Sequence, residues 1–172
     1  MTMKKIVLTG LLAAMVAVAT GFLPFNIVGG GYIHLGDTVI YLAAALLPTP
    51  YAMAAAAIGA GVADLLVAPM WAPFTIVIKV LMVLAFTAKK ERFLCGRNAL
   101  ATVIAGMVCV AGYFGAEVLI LCLSGSGVGA AVGAGLLSAP FNGIQALASA
   151  VCFLVLAAAL DRLQLKQRLQ KM

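Results

Sequence analysis

Long apolar stretches separated by short polar gaps run through the whole chain. Six of these stretches have the composition expected of membrane-spanning helices. They cover residues 6–23, 36–47, 51–67, 73–87, 98–123 and 139–160. The second is short for a full crossing, so we expect it to be tilted or to begin with a polar turn buried in protein. The pattern predicts an all-α integral membrane protein in which residues 1–172 form a single domain.

The segments that follow the fifth predicted span are less regular. Residues 124–127 alternate serine and glycine and predict a flexible loop. Residues 128–137 are small and apolar, and we interpret them as a short re-entrant or interfacial piece. The sixth span would then start around Pro140, since proline is common in the first turn of a helix. Residues 161–172 place leucines among basic residues, which predicts an amphipathic tail at the membrane surface.

Composition and charge support the membrane assignment and orient the chain. The sequence is 65% hydrophobic and 9% charged, and its formal net charge is +6. Ten of its eleven basic residues lie at the termini or in one internal loop: Lys4, Lys5, Lys89, Lys90, Arg92, Arg97, Arg162, Lys166, Arg168 and Lys171. Basic clusters that share one side of the membrane mark the cytoplasmic side. We therefore predict a cell-membrane protein with cytoplasmic N- and C-termini, and we reject nucleic acid as a partner.

The first span also has the features of a cleavable signal peptide, because Lys4 and Lys5 precede an apolar run that ends in small residues. We favour an uncleaved helix, since six spans place every basic cluster on one side. The four cysteines show no CxxC pair and have no accompanying histidines. We interpret them as reduced packing residues, and we expect no metal site, cofactor or catalytic residue.

Three ionisable residues fall inside predicted spans, where charge is costly and usually functional. Lys79 and Glu117 each lie six residues from the outer end of their span, or ~9 Å deep, and Asp64 lies ~5 Å deep. Asn142 and Gln145 enter the last span at a similar depth and share one helical face. An alternative is that Lys79 forms a purely structural ion pair with Glu117 or Asp64.

The loop before the second span supplies further polar and aromatic groups at the same level. It contains Tyr32, His34 and Asp37 after three glycines at 29–31. An exposed loop tip is the alternative interpretation, but Asp37 is followed at once by an apolar run. We infer an outward-facing pocket for a small polar planar heterocycle. Its predicted binding residues are Tyr32, His34, Asp37, Asp64, Trp71, Lys79, Tyr113, Glu117, Asn142 and Gln145.

Small residues also recur at four-residue spacing on the first span. The pairs are Gly10 with Ala14 and Ala13 with Ala17. Such spacing allows a second helix to approach closely in a membrane. The partner is either another protein or a helix of the same chain, and spacing alone leaves both open.

Five segments resemble the substrate-binding S components of energy-coupling factor (ECF) transporters. They are GYIHLGDTVIYL at 31–42, GVAD at 61–64, APFTIVIK at 72–79, GYFGAE at 112–117 and PFNGIQ at 140–145. The resemblance is greatest to the riboflavin-transporter-like group, which includes hydroxymethylpyrimidine and pyridoxine carriers and proposed queuosine-precursor carriers. It implies six helices with an outward pocket under the first loop. It also implies docking through the alanines of the first span onto a transmembrane coupling subunit driven by two ATPase subunits.

The leading hypothesis is a binding subunit for a vitamin or nucleobase-like precursor, with the lipid bilayer as its surroundings. The chain has no Walker-type GxxxxGK[ST] motif, so it would depend on its partners for ATP hydrolysis. A self-sufficient proton-coupled carrier that uses Asp64, Lys79 or Glu117 as relay groups is the main alternative. An intramembrane enzyme is a weaker one, because neither HExxH nor GxSxG occurs.

Overall fold

The protein is almost entirely helical in a computed structural model. The structure describes residues 2–22, 25–26 and 32–171. Side chains are not described at residues 2, 25–26, 32–33 and 170–171. The helices are α1 (Thr2–Gly21), α2 (Gly36–Leu46), α3 (Thr49–Val67), α4 (Ala72–Val83), α5 (Gly96–Leu123), α6 (Val128–Arg162) and α7 (Leu165–Lys171). A 3₁₀ turn at Pro69–Trp71 precedes α4. The strands β1 (Phe25–Asn26) and β2 (Tyr32–Ile33) pair antiparallel in the loop between α1 and α2. The predicted all-α class is confirmed.

Four helices among the described residues are long and apolar enough to cross a membrane. They are α1 over Met3–Gly21, α3, α5 and α6. The second helix and the Pro69–Val83 segment are apolar but shorter. The count of six spans and the cytoplasmic location of both termini therefore stay predictions.

Helix α6 differs from the sequence interpretation at its start. Residues 128–137 do not form a separate piece, because they are the first turns of a continuous 35-residue helix that includes Pro140. A proline inside a helix removes one backbone hydrogen bond and is normally read as a helix start. Here the small residues before it continue the helix instead. At 1.5 Å per residue α6 is about 52 Å long.

Close helix packing centres on α1 against α3 and on α5 against α6. A Cβ atom at Gly59 would lie 2.5 Å from the Ala13 carbonyl oxygen and 2.6 Å from the Val16 Cβ, so only glycine allows this approach of α1. Deeper in the bundle, the rings of Tyr41 and Phe86 stack with centroids 4.9 Å apart. Small residues thus bring helices together around an aromatic core, as expected where lipid supplies no hydrophobic drive between helices.

The end of the bundle that carries the basic clusters is held by buried polar contacts. Lys166 is 1% exposed, and its Nζ donates hydrogen bonds to the carbonyl oxygens of Ala45 (2.6 Å) and Ala88 (2.9 Å). The Asp161 carboxylate accepts hydrogen bonds from the backbone amides of residues 93–94, at 2.7 and 2.9 Å. The tail predicted at the membrane surface is therefore also anchored to the bundle by Lys166.

Candidate functional site: a polar cavity at one end of the bundle

A cavity of about 270 Å³ lies at the end of the bundle opposite the basic clusters. Helices α3 to α6 and the loop before α2 each contribute to its wall. Its lining residues are His34, Asp64, Ala68, Trp71, Thr75, Lys79, Tyr113, Glu117, Ser138, Phe141, Asn142 and Gln145. Eight of the ten predicted binding residues are in this set. Of the other two, Asp37 contacts Lys79 from outside the lining, and the Tyr32 side chain lies outside the described residues.

A buried ion pair forms the base of the cavity. Lys79 Nζ lies 2.6 Å from Oδ1 of Asp37, and the two side chains are 2% and 0% exposed. Asp37 is in the first turn of α2, where the helix dipole favours a negative charge. The alternatives of Glu117 or Asp64 as the partner of Lys79 were therefore wrong. The sequence interpretation included Asp37 among the binding residues but missed it as the partner of Lys79, because it placed Asp37 at the mouth of its helix and Lys79 deeper.

Gln145 attaches the loop before α2 to α6. Its Oε1 accepts a hydrogen bond from the His34 amide at 2.9 Å, and its Nε2 donates to the His34 carbonyl at 2.8 Å. The same Nε2 lies 3.1 Å from the Ser149 hydroxyl, one turn further along α6. The Gln145 side-chain amide thus hydrogen-bonds to both the N–H and the C=O of His34, as the backbone of a neighbouring β-strand would, and so fixes the position of His34. Gln145, predicted to contact ligand, also positions the loop.

The His34 imidazole is held in a neutral form. Its Nδ1 accepts a hydrogen bond from the Gly36 amide at 3.2 Å, which leaves the ring proton on Nε2. The pKa of His34 is lowered to about 4, mainly because the side chain is buried, and Lys79 adds to this effect while Asp37 opposes it. At neutral pH this side chain therefore adds no positive charge to the cavity.

Aromatic rings cover one side of the cavity. Trp71 and Tyr113 have ring centroids 6.0 Å apart and are tilted by 55°. This centroid distance is within the range of two aromatic rings in direct contact, so a planar ligand cannot insert between Trp71 and Tyr113. They form a single wall, while Phe141 contributes from α6. Lys79 Nζ lies 5.1 Å from the centroid of Tyr113, within cation–π range.

Two carboxylates, Asp64 on α3 and Glu117 on α5, also line the cavity. Asp64 is 8% exposed and interacts with Thr75, whose hydroxyl lies 3.1 Å from the Tyr113 hydroxyl. The Ser138 hydroxyl donates a hydrogen bond to Oε2 of Glu117. Each carboxylate thus has a neutral hydroxyl neighbour, and neither has an ion-pair partner among the residues that the structure describes.

Sequence reasoning missed Ala68, Thr75 and Ser138, and it did not include Phe141 among the predicted binding residues. Thr75 lies four residues before Lys79, so the helical repeat places both on one face. Ser138 lies seven residues before Gln145 and shares its face for the same reason. Both could have been found from these spacings. Ser138 lies one residue before the predicted start of the sixth span at 139, so it is not among the predicted binding residues.

The small residues of α1 do not all lie on one surface. Gly10 and Ala14 are exposed, and Ala17 is partly exposed. Ala13 is 6% exposed and packs against α3 beside Gly59. In this arrangement of the helices Ala13 therefore contacts α3, and its predicted docking role stays a prediction. Docking through Gly10, Ala14 and Ala17 stays a prediction.

The family model of the ECF-type riboflavin transporter S component matches residues 1–162 of this chain. The chain belongs to the ECF-type riboflavin transporter S component family. The resemblance found from its five segments is thereby confirmed.

Two further proteins are similar to this S-component family member. An uncharacterized protein of Pyrococcus woesei is 38% identical over 84 residues, which are 48% of this chain and 57% of that protein. The match thus spans little more than half the length of this relative. The S component of a bacterial ECF transporter has a similar solved structure, with a TM-score of 0.73 and 18% sequence identity. That match covers 95% of this chain and 98% of the other, and at this identity it shows a shared fold.

Proposed function

We propose that the protein is the substrate-binding subunit of an ATP-driven ECF importer and takes up a small planar vitamin or vitamin precursor. Candidate ligand classes are hydroxymethylpyrimidine, pyridoxine, queuine and riboflavin. Family membership supports the role of a transporter subunit rather than an enzyme. The cavity supports the class of ligand, because fixed polar groups from several elements surround a space beside an aromatic wall.

The observation that carries this proposal is the composition of the cavity lining. Four helices and one loop contribute amide, hydroxyl, ammonium and carboxylate groups to this lining. A purely structural ion pair would need only two of these residues. Its volume of about 270 Å³ lies just below the roughly 300–1,000 Å³ typical of drug-sized ligands. The size favours the three smaller candidates over riboflavin.

Uptake would begin with capture of the ligand from outside and closure of the loop before α2. The glycines at 29–31 that would give this loop its freedom lie outside the described residues. Reorientation of the whole subunit would follow when two ATPase subunits drive the coupling subunit to which it is docked. The proton-carrier alternative is less well supported, because one of its relay groups, Lys79, is held in an ion pair with Asp37.

Calorimetry with the purified chain tests the proposal, after mass spectrometry of any small molecule that co-purifies. We expect one of the four candidate classes to bind, and Asn142→Ala and Glu117→Ala to weaken that binding by at least about tenfold, since each removes a lining group. Glu91→Ala is the control, because Glu91 is exposed in the loop between α4 and α5. Unchanged affinity in both cavity variants would contradict the proposed site.

A further inference from the structure

The cavity has an imbalance of charge. Lys79 and Asp37 neutralise each other, and His34 is neutral. Asp64 and Glu117 remain, and both line the same space. Buried or half-buried carboxylates are normally paired, because removing a charge from water is costly unless an opposite charge or several donors replace the water.

Among the residues that the structure describes, Lys79 is the only Lys or Arg in the cavity lining. The sequence contains no Lys or Arg between residues 6 and 78, and none between 98 and 161. The residues of the first loop that the structure leaves undescribed, 23–24 and 27–31, are all uncharged. The remaining basic residues lie at the opposite end of the bundle. The charge of Asp64 and Glu117 is therefore left for a bound molecule to match.

The cavity lining also contains a hydrogen-bond donor, Lys79, besides the two carboxylate acceptors. Lys79 Nζ is almost completely buried, and beyond its ion pair with Asp37 it has no hydrogen-bond acceptor among the described residues. An ammonium group has three donors, so Lys79 can still donate to an acceptor placed in the cavity. The two carboxylates offer only acceptors. A complementary ligand thus carries an acceptor on one edge and a charged donor on another.

We propose that the ligand is a planar heterocycle with a protonated aminomethyl substituent, which pairs with Asp64 and Glu117 while a ring acceptor contacts Lys79. This inference rests on the proposed function and specifies the charge of its substrate. A phosphorylated form of the same heterocycle would bring further negative charge into a cavity that already contains two carboxylates without an ion-pair partner among the described residues. The cavity therefore favours the amine that carries no phosphate.

Matched ligands that differ in one group test the charge. Pyridoxamine and pyridoxine share a ring and differ in an aminomethyl or hydroxymethyl substituent, and pyridoxamine 5′-phosphate adds an anion. A second pair is 4-amino-5-(aminomethyl)-2-methylpyrimidine with its 5-hydroxymethyl analogue. In calorimetry on the purified wild-type chain, we expect the amine of at least one pair to bind roughly 10–100-fold more tightly, as for a charge-assisted hydrogen bond. The phosphate should bind least.

Charge-neutral variants locate the contact. Glu117→Gln and Asp64→Asn should each reduce the preference for the amine, and Glu91→Gln should leave it unchanged. Equal or tighter binding of the hydroxymethyl analogues to the wild type would overturn the inference and leave the proposed function standing. Binding of none of these compounds, nor of queuine or riboflavin, would contradict the proposed function itself. A retained preference in both folded cavity variants would also overturn the inference.

Discussion

Lys79 on α4 and Asp37 in the first turn of α2 form a fully buried ion pair, with Nζ and Oδ1 2.6 Å apart. The pair joins the short second helix to the wall of the cavity. It also means that Lys79 supports the fold as well as contacting the cavity, since its removal would leave a buried negative charge.

Substitutions at this pair should therefore be strongly non-additive. Lys79→Met alone should destabilise the protein by roughly 3–5 kcal/mol, because Asp37 is left unpaired in the interior. The double variant Lys79→Met with Asp37→Asn should be more stable than Lys79→Met, since no unpaired charge stays buried. Thermal unfolding in detergent of the wild type, both single variants and the double variant measures this. A strictly additive result would show that the two side chains do not interact.

Gln145 and Asn142 lie on the same face of α6 but should have separable roles. Gln145→Leu removes both hydrogen bonds to the His34 backbone and should expose that amide to exchange, at a cost of roughly 1–3 kcal/mol per unsatisfied buried group. Asn142→Ala should weaken ligand binding and leave the His34 amide protected. Hydrogen exchange measured with and without ligand distinguishes the two. Equal protection of His34 in both variants would contradict the positioning role of Gln145.

Stability should fall in acid because of His34. Its pKa is lowered from 6.5 to about 4, so between these values the unfolded chain binds a proton that the folded chain does not. The effect of His34 is therefore absent above pH 6.5, grows as the pH drops, and lowers the free energy of unfolding by about 3 kcal/mol below pH 4. His34→Asn keeps an acceptor for the Gly36 amide and should remove this part of the pH dependence. An identical pH profile in the variant would contradict the assignment.

Neighbouring alanines of α1 should respond differently to the same substitution. Ala14→Leu adds bulk to an exposed position and should block uptake in cells while leaving stability and ligand binding intact. Ala13→Leu adds bulk where α1 touches α3 and should destabilise the protein by roughly 1–3 kcal/mol. Uptake assays and thermal unfolding on the pair measure both effects. Normal uptake by Ala14→Leu would exclude this surface as the docking face.

The contacts at the basic end give a prediction that is independent of the ligand. Lys166→Met removes the donor shared by the Ala45 and Ala88 carbonyls and should lower the unfolding temperature. Arg168→Met, two residues away on the same short helix, removes an exposed charge and should have little effect. Equal unfolding temperatures for the two variants would show that the Lys166 contacts add no stability.

The sequence predicts which residues line the cavity more accurately than it predicts which of them form pairs. The depth of Lys79 and Glu117 in their spans places both at one level, because rise per residue is fixed in a helix. Which residues form an ion pair depends on the rotation and tilt of neighbouring helices, which depth does not specify, so Asp37 was not identified as the partner of Lys79. The burial of Ala13 likewise depends on Gly59 in a different helix. Pro140 was misleading because local propensity favours a helix start there, whereas the chain continues the helix.

Helix α6 is continuous from the cavity to the end of the bundle that carries the basic clusters. Gln145 holds the first loop beside the cavity, and Asp161 on the same helix, about 24 Å further along, holds the loop between α4 and α5. Because both contacts are made by one continuous helix, a rigid tilt of α6 would move the loop before α2 and the loop between α4 and α5 together.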